Sequence, residues 1–348
     1  MDVAAFTGFD GPESVEVETR DDPEPGEGEA VIDVEACSIN RHDLWIVEGE
    51  SAMVTDDALP FVSGLDVAGT VAAVGEDVEN GAGARTGGEA GITPGDRVVL
   101  CPNETCGTCR YCREGPENLC ENFSLFHGGL AERALCEVDR LVVLPDSVSM
   151  TSATALPTAY MTAYHMLRRG DLAATDLVSI PGATGGVGVA AVQLVGALGA
   201  RSIGTTSSSE KADRLREIGA DHVIESGDPA EIATKTREIG DPDVVINHLG
   251  GEFTRAGLES MRRGGRMVIC GRTAGGTSEI DVAPFFLSHQ RVIGSTMGTQ
   301  ADLERLVGLV EGGAFEPPVD ETYDLAETDA AFADMASRDA FGKLVVEP

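Results

Sequence analysis

Lysine is nearly absent from this chain. Only Lys211, Lys235 and Lys343 occur among 348 residues, and 25 basic residues in all face 59 acids, for a net charge of −34. No basic patch can be assembled from that inventory, so nucleic acid is not expected as a partner. Long apolar runs are missing too. No window approaches the ~20 apolar residues of a membrane span, and no basic then apolar leader follows Met1. A soluble, cytoplasmic protein without membrane contact is expected. Aromatics are sparse, with Trp45 the single tryptophan, while the hydrophobic share of 42% is ordinary for a globular chain. The length suffices for two domains with separate cores.

The acids are scattered among apolar residues instead of forming a tail, which favours a folded acidic surface over a disordered segment. Self-repulsion at this charge strains a compact state, and concentrated salt relieves it by shortening the screening length to about 3 Å at 1 M. The surface reads as one suited to a salt-rich cytoplasm, as in a halophile.

What is present begins with four cysteines, Cys106, Cys109, Cys112 and Cys120, in CGTCRYCREGPENLC. Four thiolates at C-x2-C-x2-C-x7-C spacing can close a tetrahedral shell around Zn²⁺ and leave no open coordination position, so such a zinc is structural. A disulfide cluster is the competing reading. Upstream, AVIDVEACSI (30–39), VAGTVAAVG (67–75) and DRVVLC (96–101) read as strands separated by turn-rich stretches, among them the glycine-rich ENGAGARTGGEAGITPG. The first part of the chain is expected to be mostly β.

Past about residue 150 the pattern changes to strands alternating with helices, which implies a parallel sheet. There VSIPG runs into Gly182-Ala183-Thr184-Gly185-Gly186-Val187-Gly188 and a helix. Glycines between a strand and a helix permit a tight turn and close backbone approach to a pyrophosphate, with the helix N-terminus facing the phosphates. A tight connection without ligand is the alternative. At the end of the next strand an acid would bind a ribose 2′-hydroxyl. The chain offers Thr206, Ser207 and, further on, Lys211, which suit a 2′-phosphate. NADPH is therefore expected, with NADH possible; a solvated helix start is the bland reading of the same residues.

The cysteine lobe and glycine turn, with PGDRV (94–98), ALPTAYMTAY (155–164), EKADRLREIGADHVI (210–224) and FGKLVV (341–346), resemble the medium-chain dehydrogenase/reductases of the zinc-containing alcohol dehydrogenase and quinone oxidoreductase superfamily. The resemblance covers nearly the whole chain. It implies an α/β protein: a mostly-β GroES-like catalytic domain, 1–152 and 296–348, with its zinc lobe at about 101–122, and a doubly wound Rossmann cofactor domain, 153–295. It further implies a homodimer or homotetramer, with QRVIGSTMG (290–298) a candidate pairing strand, and a small-molecule substrate.

Alcohol dehydrogenases of this superfamily carry a second, catalytic zinc. Here Cys37 matches the first ligand and His42 falls at the right offset, but the histidine of G-H-E is replaced in Gly64-Leu65-Asp66, and Thr158 falls at the third position. The residual candidates are Cys37 and Asp66, too few for the three ligands such a site needs. The stretch Ile39-Asn40-Arg41-His42-Asp43-Leu44-Trp45 resembles the zinc-free quinone reductase pattern instead. The resemblance then implies hydride transfer from NADPH to a quinone, enone or enoyl thioester, with one structural zinc. Asn40 would contact nicotinamide or substrate and Trp45 would wall the pocket. Thr158 and Thr162 would line the nicotinamide site, Asp43 would order the loop, and His42 would donate a proton, or else sit at the surface or cap a helix. Two alternatives stand beside it: a zinc alcohol dehydrogenase with remodelled ligands, and a crystallin-like protein that binds NADPH without turnover.

The charge has a direct consequence. The unfolding midpoint should rise by on the order of 10 °C between about 0.1 and 2 M KCl, measured by circular dichroism. A midpoint that is flat or falls with salt contradicts the halophilic reading of the surface.

Overall fold

The computed structural model describes residues 1–51, 54–76 and 91–348. Most of the glycine-rich stretch read as a loop, residues 79–90 of 79–95, lies outside the described residues. The chain forms two compact units, Met1–Thr158 with Thr299–Pro348, and Ala159–Gly298. The changeovers fall later than the 152/153 and 295/296 read from sequence. The Thr154 carbonyl and the Thr158 hydroxyl both bond into the first unit. Met297 is buried and accepts from Thr162 in the second.

The first unit is organised around one long strand, Glu29–Ser38. One edge pairs antiparallel with Asp66–Val74 along its length. The other edge is shared: its first half pairs with Arg133–Glu137, its end with Lys343–Glu347. Arg97–Leu100 and Leu141–Val143 extend the sheet on one side, and Val319–Asp324, parallel to Lys343–Glu347, on the other. A smaller sheet joins Val15–Thr19, Asp2–Phe6 and Phe61–Val62. The alternation of Ala30, Ile32 and Val34 toward one side places them in a core with Phe6, Leu44, Val67 and Phe332. The rings of Phe6 and Phe332 meet edge to face at 5.4 Å. The mostly-β expectation holds, with the helices Arg41–Val47 and Thr328–Ser337 added to it.

The pairing registers decide what meets at the C-terminal end of the long strand. Ser38 lies opposite Asp66 on one side and Val345 on the other. Lys343, two residues before Val345, points to the same side of its strand. Three residues far apart in the chain are thereby brought to one place.

The second unit is a six-stranded, all-parallel sheet in the order His222–Glu225, Arg201–Thr206, Leu177–Ile180, Val244–Asn247, Arg266–Ile269, Arg291–Gly294. In chain order this is 3-2-1-4-5-6, the Rossmann arrangement, whose ligand crevice opens where the order reverses. That reversal lies between Leu177–Ile180 and Val244–Asn247. Among the described residues no helix is long and apolar enough to cross a membrane.

Candidate functional site

In the first unit the convergence at Ser38 is a buried polar cluster centred on Asp66, which is fully buried. The Lys343 ammonium, 4% exposed, lies 3.1 Å from Asp66 Oδ2. It also donates to the Asn40 side-chain oxygen at 2.6 Å and the Ile39 carbonyl at 2.9 Å. The Asn40 amide donates to Asp66 Oδ2 at 2.9 Å, and the Thr158 hydroxyl to Asp66 Oδ1 at 2.5 Å. The single hydrogen of Ser38 is shared between Asp66 Oδ2, 3.0 Å away, and the Thr154 carbonyl at 2.7 Å. Every oxygen of the carboxylate is satisfied, as a charge removed from water requires.

Several residues take roles here different from those their sequence suggested. The Asn40 side chain is committed inward, to Asp66 and Lys343, and serves the cluster before any ligand. Thr158 spends its hydrogen on Asp66, leaving lone pairs that can accept from an N–H or O–H but not donate to a carbonyl. Asp43 does order the loop: its carboxylate accepts from the Asn40 and Gly64 N–H groups at 2.8 and 3.1 Å and from the Ser63 hydroxyl. Ser63 lies 3.4 Å from His127 Nδ1, and the His127 ring stacks on His42 at 5.5 Å. Burial, with His42 adding to it, lowers the His127 pKa against the pull of Asp43. His42 Nε2 is buried without a partner, and the cap of its helix is made by Asn40 with Asp43. Trp45 is half-buried, three residues on along the same helix.

Cys37 and Asp66, the candidates for a second metal, are both engaged otherwise. A Cβ on Gly64, at φ +95°, would lie 2.9 Å from Cys37 Sγ, and one on Gly129 3.0 Å from it. The thiol is thus packed against two glycine backbones, and burial, then the charges of Asp43 and Asp66, push its pKa well above the usual value. Among the described residues, three or more potential ligand atoms within mutual reach occur only at Cys106, Cys109, Cys112 and Cys120.

That cysteine set does fit zinc. Sulfur pairs stand 3.5 Å (Cys109–Cys112) and 3.9 Å (Cys106–Cys112, Cys109–Cys120) apart. This is too far for a disulfide bond, and close to the ~3.8 Å edge of a ZnS₄ tetrahedron with ~2.3 Å bonds. Backbone N–H groups of Cys106 and Asn122 point at Cys120 Sγ, and that of Cys109 at Cys106 Sγ. Backbone donors from Thr108 and Cys109 pull Cys106 down to about 5, whereas desolvation and the neighbouring thiols push Cys112 up to about 11. Four thiolates need a cation to share this space.

In the second unit the three outer glycines of the turn do three different jobs. Gly182 has φ +66°. Gly188 starts a helix so close to the strand that its Cβ would lie 2.6 Å from Ala183 Cα. A Cβ on Gly185 would meet nothing within 4 Å. The open position is where a ligand backbone can approach. Helix Gly186–Ala197 has no side-chain cap, and its first intrahelical bond comes from Val189 N, so the N–H groups of Gly186, Val187 and Gly188 have no intrahelical acceptor. That N-terminus suits an anion. Thr205 pins the turn, through its hydroxyl to Gly182 N at 3.1 Å and its carbonyl to Ala183 N at 2.9 Å. The next helix is different: Ser208 caps it by accepting from Lys211 N, and Thr206 Oγ1 accepts from Ser208 N. Ser207 is exposed and Lys211 half-buried beside it, with no acid at the strand end. Thr162 is buried on helix Met161–Arg169.

Residues 26–146 match the family model "Alcohol dehydrogenase GroES-like domain", and residues 186–312 the model "Zinc-binding dehydrogenase". The chain is 32% identical to an acryloyl-coenzyme A reductase of Metallosphaera sedula, over 95% of this chain and 96% of that protein. The chain belongs to the zinc-containing alcohol dehydrogenase-like medium-chain dehydrogenase/reductases. It is an NAD(P)H-dependent oxidoreductase. Alcohol dehydrogenases are similar as well. One from Sulfolobus acidocaldarius, named NAD-dependent, is 27% identical over 96% of both chains. A crystal structure of an NAD-dependent alcohol dehydrogenase superposes at TM-score 0.89, with 30% identity and full coverage of both chains.

Two further positions stand out in the fold. Lys343 enters the sequence reading as one of three lysines and within FGKLVV, and its scarcity could have singled it out. His248 is the other. Its half-buried ring is held at the Gly182 backbone, and desolvation lowers its pKa to about 4. The neutral ring is favoured in the fold, and an unfolded histidine titrates near ~6.5. Stability from this group is therefore complete above that value and lost as pH falls from about 6.5 to 4, by at most about 3 kcal/mol. His248→Gln should flatten the dependence of the unfolding midpoint on pH across that window; an unchanged slope would show that His248 does not set it.

Proposed function

We propose that this protein is an NADPH-dependent reductase of enoyl thioesters, with one structural zinc in the cysteine lobe and no metal at the reacting centre. The observation that carries this reading is the state of Asp66. The carboxylate closest to a metal role is already bonded to Lys343, Asn40 and Thr158, and the neighbouring thiol of Cys37 is packed and protonated. An unactivated alcohol is a poor substrate without a Lewis acid to stabilise the alkoxide, and the oxygens of Asp66 are already committed to protein partners. A conjugated thioester needs less help, because the developing charge spreads to an oxygen remote from the attacked carbon. The similarity to an acryloyl-coenzyme A reductase supports the same class.

The bound nicotinamide supplies the hydride. The chain's part is to hold and orient. The glycine turn and the open N-terminus of helix Gly186–Ala197 bind the pyrophosphate, with Thr205 fixing the turn's backbone. Asn247 holds the turn after its own strand, its side-chain oxygen accepting from the N–H groups of Leu249 and Gly250. Ser207 and Lys211 meet the 2′-phosphate. His42, stacked on His127, is the candidate source of the proton taken up at the α-carbon. The location is cytoplasmic on this reading.

A steady-state screen in about 2 M KCl tests it: NADPH or NADH against acryloyl-CoA, crotonyl-CoA and quinones, and NADP⁺ or NAD⁺ against alcohols, with zinc counted per chain. Turnover of enoyl-CoA with NADPH and one zinc is expected. Lys211→Glu should cut kcat/KM for NADPH by about tenfold or more while sparing NADH. Turnover of alcohols alone, or two zincs, overturns the reading.

We also infer a homo-oligomer built through the second unit. Strand Arg291–Gly294 is an edge, paired on one side only among the described residues. Beside it in sequence Val282, Phe286 and Leu287 are 58–66% exposed. An unprotected edge next to bare apolar side chains is a template for strand pairing with a second copy. Light scattering should give a dimer or tetramer for the native chain and a smaller species for Phe286→Asp/Val292→Asp; an unchanged mass rules out this face.

A further inference from the structure

Asp43, Ser63 and His127 form a chain of polar groups in which each hydrogen is placed by its neighbours. The Asp43 carboxylate is fully buried and can only accept. It takes the single hydrogen of the Ser63 hydroxyl, with the Gly64 N–H beside it at 3.1 Å. Ser63 Oγ then has only lone pairs to offer the His127 ring, 3.4 Å away at Nδ1. The hydrogen of that contact therefore belongs to Nδ1, and Nε2 is the nitrogen that gains and loses a proton. The backbone agrees with the side chains: the Ser63 carbonyl accepts from the N–H groups of Gly128 and Leu130.

The rest of the surroundings sets the charge of the ring. His42 stacks on His127 at 5.5 Å and 25°, and Phe61 meets it edge to face at 5.0 Å. Burial, the largest influence, disfavours the imidazolium. Asp43 favours it, His42 on the same helix as Asp43 disfavours it, and Glu104 on strand Asn103–Glu104 favours it. The balance keeps the ring neutral at pH 7, with the charged form reached by a modest fall in pH. Like charges on stacked rings repel, so the two imidazoles hold one proton between them. Gly64 and Gly129, from the two loops that Ser63 joins, pack on Cys37 Sγ. The stack thus stands beside residues that the family pattern brings to the reacting centre.

We propose that His127 is the acid of the reduction: the proton held by the His42–His127 stack leaves from His127 Nε2, with Ser63 and Asp43 as positioning residues that keep the other ring hydrogen on Nδ1. The hydrogen bonds decide between the two rings, because His42 Nε2 is buried with no partner to fix its tautomer. The step balances. Hydride adds to the β-carbon of the enoyl thioester, and the electron pair of the C=C bond passes into an enolate. The Nε2–H bond of His127 breaks as the α-carbon–H bond forms, and the half-buried neutral ring takes its next proton from water. The use of the proton rests on the enoyl-thioester reading above; the tautomer does not.

The test uses the full-length, zinc-replete protein in about 2 M KCl, with His127→Gln, His42→Gln and Ser63→Ala. Histidine ¹⁵N NMR of the native protein should show neutral His127 protonated at Nδ1, and Nε2 titrating below ~6.5. A neutral ring protonated at Nε2 overturns the proposal, with no variant or substrate needed. With acryloyl-CoA, native kcat should rise as pH falls from about 8, since the imidazolium is the active form. His127→Gln should lose about a hundredfold in kcat near pH ~6.5 and the pH dependence with it. Its Kd for NADPH, read by fluorescence, should stay within about twofold. Ser63→Ala should cut kcat by about tenfold and mix the two neutral tautomers in the spectrum, a change that a role limited to folding would not produce. His42→Gln should keep the profile and move its midpoint to higher pH. Native kcat in His127→Gln overturns the proposal, as does loss of the profile in His42→Gln, which would assign the proton to His42. A native protein inactive on every enoyl-CoA would refute the assigned reaction and this use of the proton, while the spectrum would still judge the tautomer that Ser63 and Asp43 impose.

Discussion

The buried ion pair between Lys343 and Asp66 is the constraint around which the first unit is arranged. Two charges withdrawn from water are tolerable only when each remaining lone pair and hydrogen is satisfied. Here that satisfaction requires Ser38, Ile39, Asn40 and Thr158 to be in place together. The requirement ties the ends of three strands and the start of helix Arg41–Val47 to one another. It also explains why the long strand divides its second edge between two partners. Arg133–Glu137 covers the first half, and Lys343–Glu347 has to reach the end for the ammonium to arrive. The Asp43 carboxylate then fastens the same helix start to the Ser63–Gly64 loop, so the cluster and the Cys37 packing share one framework.

The legible parts of the molecule were those whose physics is local in sequence. Four cysteines within 15 residues, and a glycine turn between a strand and a helix, announce their geometry because the chain cannot separate them. The four sulfurs lie within mutual reach, and the glycine turn does join a strand to a helix. Alternating strands and helices likewise foretold the parallel sheet. Illegible were the contacts made by chain return. Asp66 and Lys343 are 277 residues apart, and no periodicity links them. Asn40 stands out in the sequence as a ligand contact, yet its amide faces inward because of a residue near the other end of the chain. The domain limits failed for the same reason: the Thr154 and Thr158 bonds into the first unit are tertiary, while the local pattern at 150–160 reads only as helix.

Composition carried more information than its use in the sequence reading suggests. This chain takes lysine at only three of its 25 basic positions. A lysine that survives such a bias is therefore a candidate for a place where its head group is indispensable. Lys343 is buried and triply bonded. Lys235 lies on an exposed helix and pairs with Glu231 four residues before it, a contact of small worth. The scarcity argument thus selects candidates without ranking them; burial and the number of acceptors do the ranking.

The fate of Asp66 shows why a family's chemistry cannot be carried over by scaffold alone. A carboxylate beside a cysteine, in a protein whose relatives include alcohol dehydrogenases, invites a metal. What a carboxylate does, however, depends on which cation reaches it first. A divalent ion would need open lone pairs on Asp66 and a thiolate at Cys37. The ammonium and three other donors occupy the former, and the glycine backbones of Gly64 and Gly129 enclose the thiol in a space where its ionised form is disfavoured. Replacing a histidine by Leu65 removes one ligand; the lysine and the packing remove the remaining ones. The cysteine lobe stays free of this competition because its sulfurs face one another and backbone N–H groups, with no resident cation among them.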